Sequence, residues 1–496
     1  MMSQRTKTLA VFCFFIWALM AGRLAWLQAF KGGHYRNLAQ RQHQLRIGIL
    51  PERGQIVDRQ GRPLALSIDD RRSYPYGTVG GQLLGFTGRD GRGLEGLELC
   101  YDRELSGEAG WATRQRDARG RVRPSLEYAS KKARSGNSVQ LTIDAEYQAI
   151  ADEELKKAGD KFKAAWGTVI ITDPSTGEIL GMASYPEFDP NRPDDFGRQA
   201  VTFGAVAAQF EPGSTFKAVT IALALESRVI DTADIFDGEQ GSYAVGGHRI
   251  GEAEGHKYGP ITVSKALAFS SNICLAKIGL ALGKDKLFQG ARAFGFGSRT
   301  GIECPGEAAG LMDKPDGWPV IKHANISFGQ GLSVSALQLV MAYGAIANGG
   351  YLLRPRLIKG LAPAGQTVDG SCRPDILRRV ISDQTSAQMI GMLELCVSEG
   401  TGKVARIEGW RVAGKTGTAQ KKEQGKKGYA SDKYVASFIG FVPAETPRLL
   451  VAVIIDEPQG RFFGGEVAAP VCRNVMQRII SLPKGLRQDL LAARSQ

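Results

Sequence analysis

Gly167-Thr-Val-Ile-Ile-Thr172, Asp173-Pro-Ser-Thr176 and Gly177-Glu-Ile-Leu-Gly-Met-Ala183 follow one another without a break. Two apolar runs flank a short polar segment that contains a proline, and this pattern predicts a β-hairpin. Upstream, Ser138-Val-Gln-Leu-Thr-Ile-Asp144 alternates as a strand does, and Ala145 to Ala158 carries apolar residues at helical spacing. Downstream, residues 210–350 read mostly as helix. Three further strand candidates follow it, Trp410 to Gln420, Tyr434 to Val442 and Arg448 to Asp456. Two strands before a helical block and three after it predict one antiparallel sheet with helices on its faces, an α+β arrangement. Before residue 138 the periodicity fades. Residues 31–137 are basic and rich in Gly and Arg, with short strand-like pieces such as Gln55-Ile-Val-Asp58, and are expected to form an extended pedestal.

The chain has 496 residues, of which 43% are hydrophobic and 23% charged, values that fit a folded protein with a real core. Its net charge of +13 suggests a polyanionic neighbour, either nucleic acid or an anionic membrane or cell-wall surface, or simply a solvated basic face. Leu9 to Phe30 is one apolar stretch preceded by Arg5 and Lys7, long enough to span a bilayer as a helix. Arg23 lies where its stem reaches the interface, and Trp26 where an aromatic belt forms. A cleaved signal peptide is the rival reading. No good small-x-small cut follows the apolar core, since Leu19 and Ala21 flank the best site, so an uncleaved anchor is expected. Basic residues also follow the stretch (Lys31, Arg36, Arg41), but a long C-terminal domain crosses largely regardless of such charges. The expected division is residues 1–8 as a cytoplasmic tail, 9–30 as the anchor, 31–137 as the pedestal, 138–485 as the catalytic region outside the cytoplasm, and 486–496 as a tail. The seven cysteines have no C-x-x-C spacing; Cys13 lies in the anchor, and the other six read either as disulfide partners or as buried thiols. Five separated histidines give no metal-ligand cluster.

Three short motifs carry chemistry: Ser214-Thr-Phe-Lys217, Ser270-Ser-Asn272 and Lys415-Thr-Gly-Thr418. Pro212 and Gly213 before Ser214 mark a helix start, where a hydroxyl lies near unsatisfied N–H groups and the positive end of the helix dipole. Lys217, three residues on, returns to the same face. A free serine is a poor nucleophile and needs a base, and a lysine serves only when neutral. Burial and a neighbouring cation both favour the neutral amine, and Lys415 is the candidate cation. Ser270 is placed to relay a proton to the leaving amine, and Asn272 to hold Lys217 or a substrate amide. Lys415, Thr416, Gly417 and Thr418 fit a strand edge: the lysine attracts a carboxylate, either threonine hydroxyl hydrogen-bonds to it, and the glycine lets an acyl substrate lie against the strand. The backbone N–H groups of Ser214 and Thr418 are the expected oxyanion hole, worth about 3–4 kcal/mol of transition-state stabilisation. Each motif alone is weak, since S-x-x-K also opens ordinary amphipathic helices, S-S-N is a common cap and K-T-G a common turn. Their order and their placement on fitting elements carry the argument jointly.

With these motifs the chain resembles the class B penicillin-binding proteins, the monofunctional transpeptidases, and looks most like their septal branch. Phe210-Glu-Pro-Gly-Ser-Thr-Phe-Lys217 is similar to the family's nucleophile segment. Arg53-Gly-Gln-Ile-Val-Asp-Arg-Gln-Gly-Arg-Pro-Leu-Ala65, Gly93-Leu-Glu-Gly-Leu-Glu98 with Tyr101-Asp102, Asn325 to Gly331 and Phe463-Gly-Gly465 resemble its other segments. In the family a long insertion separates the first of these from a Tyr-Pro pair, whereas here Ala65 is followed almost at once by Arg72-Ser-Tyr-Pro75, so the pedestal is abridged. The resemblance implies the penicillin-binding transpeptidase fold: a central five-stranded antiparallel sheet with helices on both faces and a helical subdomain, preceded by a pedestal and one transmembrane helix. It implies D,D-transpeptidation of peptidoglycan stem peptides through an acyl-enzyme on Ser214, covalent inhibition by β-lactams, a place in cell division, no cofactor and no nucleic acid. With no glycosyltransferase region before residue 138, it also implies a separate membrane glycosyltransferase partner of the shape, elongation, division and sporulation type, alongside other division proteins. That partner is expected to contact the anchor through Ala10, Ala18, Ala21 and Gly22, and the segment from Arg53 to Asp58.

Three alternatives are weighed against this reading. A β-lactamase or β-lactam sensor shares the acylation step, but the E-x-x-L-N deacylation motif of class A enzymes needs a Leu-Asn pair that this chain lacks. A D,D-carboxypeptidase is chemically closer, and the pedestal resemblance speaks against it. A non-catalytic division scaffold has no need of all three motifs.

Overall fold

The structure is a computed structural model and describes residues 3–69, 71–116, 119, 121–123, 129–197, 203–368, 373–422 and 428–483. The expected tail at 486–496 lies outside the described residues, as does Cys372. The six described cysteines are free thiols: Cys274, Cys304, Cys396 and Cys472 are buried, and Cys13 and Cys100 are exposed.

The chain divides by contact into two units, Met1–Glu52 with Gly107–Gly136, and Arg53–Ser106 with Asn137–Gln496. The first unit begins with helix α1 (Gln4–Phe30), of which no residue is buried and which is long and apolar enough to cross a membrane. Its 27 residues rise about 40 Å, more than the roughly 30 Å of a bilayer core. The Arg23 guanidinium lies 4.6 Å from the Trp26 ring centroid and the Lys31 ammonium 5.9 Å, a basic-aromatic cluster suited to a membrane interface. The rest of this unit holds a small antiparallel sheet in which Gly110–Arg116 pairs with Gln44–Ile49, Val122–Arg123 and Ser130–Lys131.

The second unit is built on the predicted five-stranded sheet. Its strands are β1 (Trp166–Thr172), β2 (Ile179–Tyr185), β3 (Ala413–Lys422), β4 (Tyr429–Val442) and β5 (Leu449–Asp456). Their order is β2-β1-β5-β4-β3, with every neighbouring pair antiparallel. The hairpin closes where the Asp173 N–H donates to the Glu178 carbonyl. Strand β5 is buried along its whole length. The reason lies in the two layers that cover it. Val169, Ile171, Val451, Val453 and Ile455 pack under α2 (Ala145–Phe162) and a C-terminal helix, Gly464–Ile480. Ile170, Leu450, Ala452 and Ile454 face the helical block. That block contains α3 (Lys217–Glu226), α4 (Asn272–Leu282), α5 (Ala336–Ala347) and α6 (Asp383–Ser398). Counting on from these, Gly464–Ile480 is α7.

Ser138–Leu141 is a strand, as expected, and belongs to a second sheet of order Ile358–Ala362, Ser138–Leu141, Ile56–Val57, Pro63–Ile68, Arg71–Ser73. Within the block read as helical, residues 235–262 form two small antiparallel ladders instead. The segment from Arg53 to Asp58 is buried except at half-exposed Gln55. Ile56–Val57 is paired on both edges, and Asp58 is fully buried and bonded to Arg62 at 2.7 Å. Arg53 is held by Glu98 and Asp102, each at 2.7 Å, while Arg72 binds the other Glu98 oxygen at 2.6 Å. Removing one member would leave an uncompensated buried charge, so this network clamps residues 53–106 together.

Candidate active site

Ser214 sits in a tight 3₁₀ turn, Gly213–Phe216, that runs directly into α3. Gly213 has φ +53° and its N–H donates to the Gly329 carbonyl at 3.0 Å. A Cβ on Gly329 would stand 2.0 Å from the Gly213 carbonyl oxygen, so the Asn325 to Gly331 segment needs glycine there for backbone to meet backbone. The Thr215 hydroxyl donates to the Pro212 carbonyl, and the Tyr343 hydroxyl, reaching from α5, donates to the Thr215 carbonyl at 2.7 Å. Half-buried Ser214 is thus carried on a turn braced from several sides, and among the described residues none hydrogen-bonds its hydroxyl.

Lys217 is fully buried. Its Nζ donates to Asn272 Oδ1 at 2.7 Å, to the Ser270 carbonyl at 2.5 Å and to Ser270 Oγ at 3.1 Å. The structure therefore brings Lys217, Ser270 and Asn272 together as the motif reading required. The S-S-N turn links two helices. Ser270 N–H donates to Leu267 and Ser271 N–H to Ala266, closing the helix Val263–Ala268 in a Schellman arrangement. Ser271 then caps α4 by accepting from Cys274 N–H. Ser270 occupies the left-handed position, φ +61°, where glycine is usual. A side chain held there costs about 1–2 kcal/mol, and the strain turns both its carbonyl and its hydroxyl onto Lys217.

Burial drives the Lys217 amine well below its ordinary value, the Lys415 charge pushes the same way, and Glu252 opposes. Burial also lowers Lys415, to about 8. Lys415 is fully buried on β3, and its Nζ donates to the Thr416 carbonyl and hydroxyl. Burial thus favours the neutral form of both lysines.

The strand motif divides by face. Thr416 and Thr418 turn toward the start of α7 and its neighbours. Thr416 Oγ1 bonds Thr401 Oγ1 at 2.6 Å, and Thr418 Oγ1 accepts from Gly464 N–H at 3.0 Å. With that N–H as donor, the Thr418 hydroxyl keeps its own proton to donate. Gly417 has a packing role besides the one expected. A Cβ there would stand 2.3 Å from Ser437 Oγ and 2.8 Å from the Thr215 methyl, so the glycine lets the strand meet the nucleophile turn. The space is filled by protein, and Gly417 has only its backbone to offer a ligand. A Cβ on Gly213 would lie 2.8 Å from the Thr418 carbonyl, which puts the residue before Ser214 against the second expected oxyanion donor. Gly417→Ala is expected to cost about 1–3 kcal/mol through overpacking and to slow acylation by displacing Thr215. Thermal unfolding together with β-lactam acylation checks this, and an unshifted melting temperature counts against it.

Sequence reading missed Thr401, the Gly464 N–H and Glu252. Gly464 was signalled only by its place in the Phe463-Gly-Gly465 segment. Glu252 lies in an aperiodic stretch and had no signal. Among the described residues no group of three or more His, Cys, Asp or Glu side chains is arranged to hold a metal ion.

The family described as the penicillin binding protein transpeptidase domain matches residues 167–477, and the penicillin-binding protein dimerisation domain matches 66–141. The chain is 38% identical over 423 residues to stage V sporulation protein D of Bacillus subtilis, covering 84% of this chain and 64% of that protein. It is 36% identical over 411 residues to the probable peptidoglycan D,D-transpeptidase PenA of Neisseria meningitidis, covering 82% and 68%. The chain thus spans about two thirds of the length of these relatives. A crystal structure of penicillin binding protein 3 from Mycobacterium tuberculosis, complexed with aztreonam, superposes with a TM-score of 0.79 at 32% identity, covering 90% of this chain and 98% of that one.

Proposed function

The chain belongs to the class B penicillin-binding proteins, and from that premise we propose that it is a serine D,D-transpeptidase cross-linking peptidoglycan stem peptides. The observation that carries this reading is the fully buried Lys217 amine bonded to Ser270 and Asn272 one helical turn from Ser214. Neutral Lys217 takes the Ser214 proton as Oγ attacks the carbonyl of the penultimate D-alanine. The new Oγ–C bond forms, and the oxyanion rests on the Ser214 and Thr418 N–H groups. Lys217 then returns the proton through the Ser270 hydroxyl to the departing D-alanine nitrogen as the C–N bond breaks. Asn272 holds the lysine in line, and Lys415 with Thr416 and Thr418 receives the terminal carboxylate. An amine of a second stem peptide then attacks the acyl carbon: the new C–N bond forms, the Oγ–C bond breaks, and the proton lost by the amine returns through Lys217 to Ser214 Oγ. A β-lactam enters by the same route and stays, because its ring-opened leaving group remains attached.

Helix α1 fits a single-pass anchor. We place the N-terminus in the cytoplasm and the catalytic region, 138–485, outside the cytoplasmic membrane, with 31–137 as an abridged pedestal. The membrane glycosyltransferase partner and the division role belong to this same proposal, with α1 as the contact, since Ala10, Ala18, Ala21 and Gly22 are small residues that permit close helix approach. Incubating the full-length protein with a donor stem peptide ending in D-Ala-D-Ala and an amine acceptor tests the activity. The expected result is release of D-alanine with an acceptor-linked product. Release with only the free acid would identify a carboxypeptidase instead.

A further inference from the structure

Glu252 follows the small ladder of Ser242–Val245 and His248–Gly251, remote in sequence from all three motifs. Its carboxylate reaches the first turn of α4. One oxygen accepts from the Ser271 hydroxyl at 2.5 Å and from Ile273 N–H at 3.4 Å, and the other accepts from Asn272 N–H at 2.6 Å. The adjacent Gly251 carbonyl accepts from Asn272 Nδ2 at 3.0 Å. Asn272 is therefore gripped at its backbone and at its amide nitrogen. That grip leaves its amide oxygen turned to Lys217 Nζ, 2.7 Å away. The same carboxylate holds Ser271, the residue after left-handed Ser270.

The carboxylate acts on Lys217 by charge as well as by contact. Lys415 from β3 disfavours the Lys217 ammonium, while Glu252 from its loop and Cys274 from α4 favour it. Tyr258 and Cys274 are raised chiefly by burial, with the Glu252 charge adding to it. Three donors and the positive end of α4 absorb part of the Glu252 charge, which is how a carboxylate stands beside a base without locking it in the protonated form.

We propose that Glu252 is a positioning residue for acyl transfer, holding Asn272 and the Ser270 turn against Lys217 and setting the pH range in which Lys217 works as a base. This rests on the reading of Ser214 and Lys217 given above. The test is the rate of acylation of the full-length protein by a fluorescent penicillin as a function of pH. Glu252→Gln keeps the shape and an acceptor oxygen but removes the charge; Glu252→Asp keeps the charge on a shorter arm; Glu252→Ala removes both. In Glu252→Gln the acid limb of the profile is expected to move toward acid by about one pH unit, the low end of what a neighbouring opposite charge produces. Glu252→Asp keeps the limb at its wild-type position with a lower plateau. Glu252→Ala shifts the limb and lowers the plateau by about 10-fold or more, as a misplaced catalytic group does. An acid limb that stays in place in Glu252→Gln overturns the proposal, even if the plateau falls, because lost structure alone predicts that result. A wild-type protein that is not acylated on Ser214 overturns the reading of the site itself; an acylated wild type with an unmoved Glu252→Gln limb overturns this inference alone.

Discussion

Lys217→Arg is expected to slow β-lactam acylation of Ser214 by at least about 100-fold, the low end of what a general base contributes. Arginine preserves the positive charge and most of the length, but it cannot release a proton near neutral pH. Burial and the Lys415 charge ease release of the proton from Lys217, while the acceptors on the S-S-N turn, 2.5–3.1 Å away, fix where its amine points. The sign of the pH dependence follows. Lys217 works when neutral, so acylation rises as pH climbs through its lowered value. Lys415 works when charged, so recognition of the carboxylate is lost as pH rises through about 8. The wild-type rate is therefore expected to be bell-shaped, with its alkaline limb near that value. Acylation rates of Lys217→Arg measured across the same pH range check the assignment. A loss of only a few fold, with the acid limb retained, means that the lysine merely positions Ser214.

Ser214→Ala is expected to abolish covalent labelling outright while leaving the fold intact. The hydroxyl is half-buried and unbonded among the described residues, so its removal leaves no buried partner orphaned and costs little stability. The turn that carries it is held by other atoms: Gly213 N–H on Gly329, the Thr215 hydroxyl on Pro212, and Tyr343 on the Thr215 carbonyl. A melting temperature close to that of the wild type, with labelling absent, is the expected pair of results. Labelling that survives in a folded alanine variant means another side chain is the nucleophile.

Much of the fold was legible because the central sheet is covered on both faces. Val169, Ile170 and Ile171, like Leu449 to Ile455, have no solvent side, and they read as unbroken apolar runs. Strand β3 was harder to read, since the polar Lys415, Thr416 and Gln420 break the apolar pattern, and β4 begins earlier than expected, at Tyr429. The second sheet was not legible. Ile56 pairs in parallel with Val139, and Ser138 pairs with Ala362, through contacts that leave no periodic trace in either segment. The lysines, the hydroxyls and the asparagine were readable because their chemistry demands a short local spacing. Glu252 was not, because it reaches Asn272 across twenty residues of irregular chain. The packing role of Gly417 was not legible for a similar reason: its neighbour is the Thr215 methyl, which no local pattern reveals.

The account turns on one bond, between the Ser214 oxygen and an acyl carbon. The most direct measurement is to label the purified full-length protein with a fluorescent penicillin, digest it and locate the adduct by mass spectrometry. The predicted result is one adduct per chain, on the peptide containing Phe210 to Lys217 and assigned to Ser214. An adduct on any other residue, or no adduct on folded protein, contradicts it.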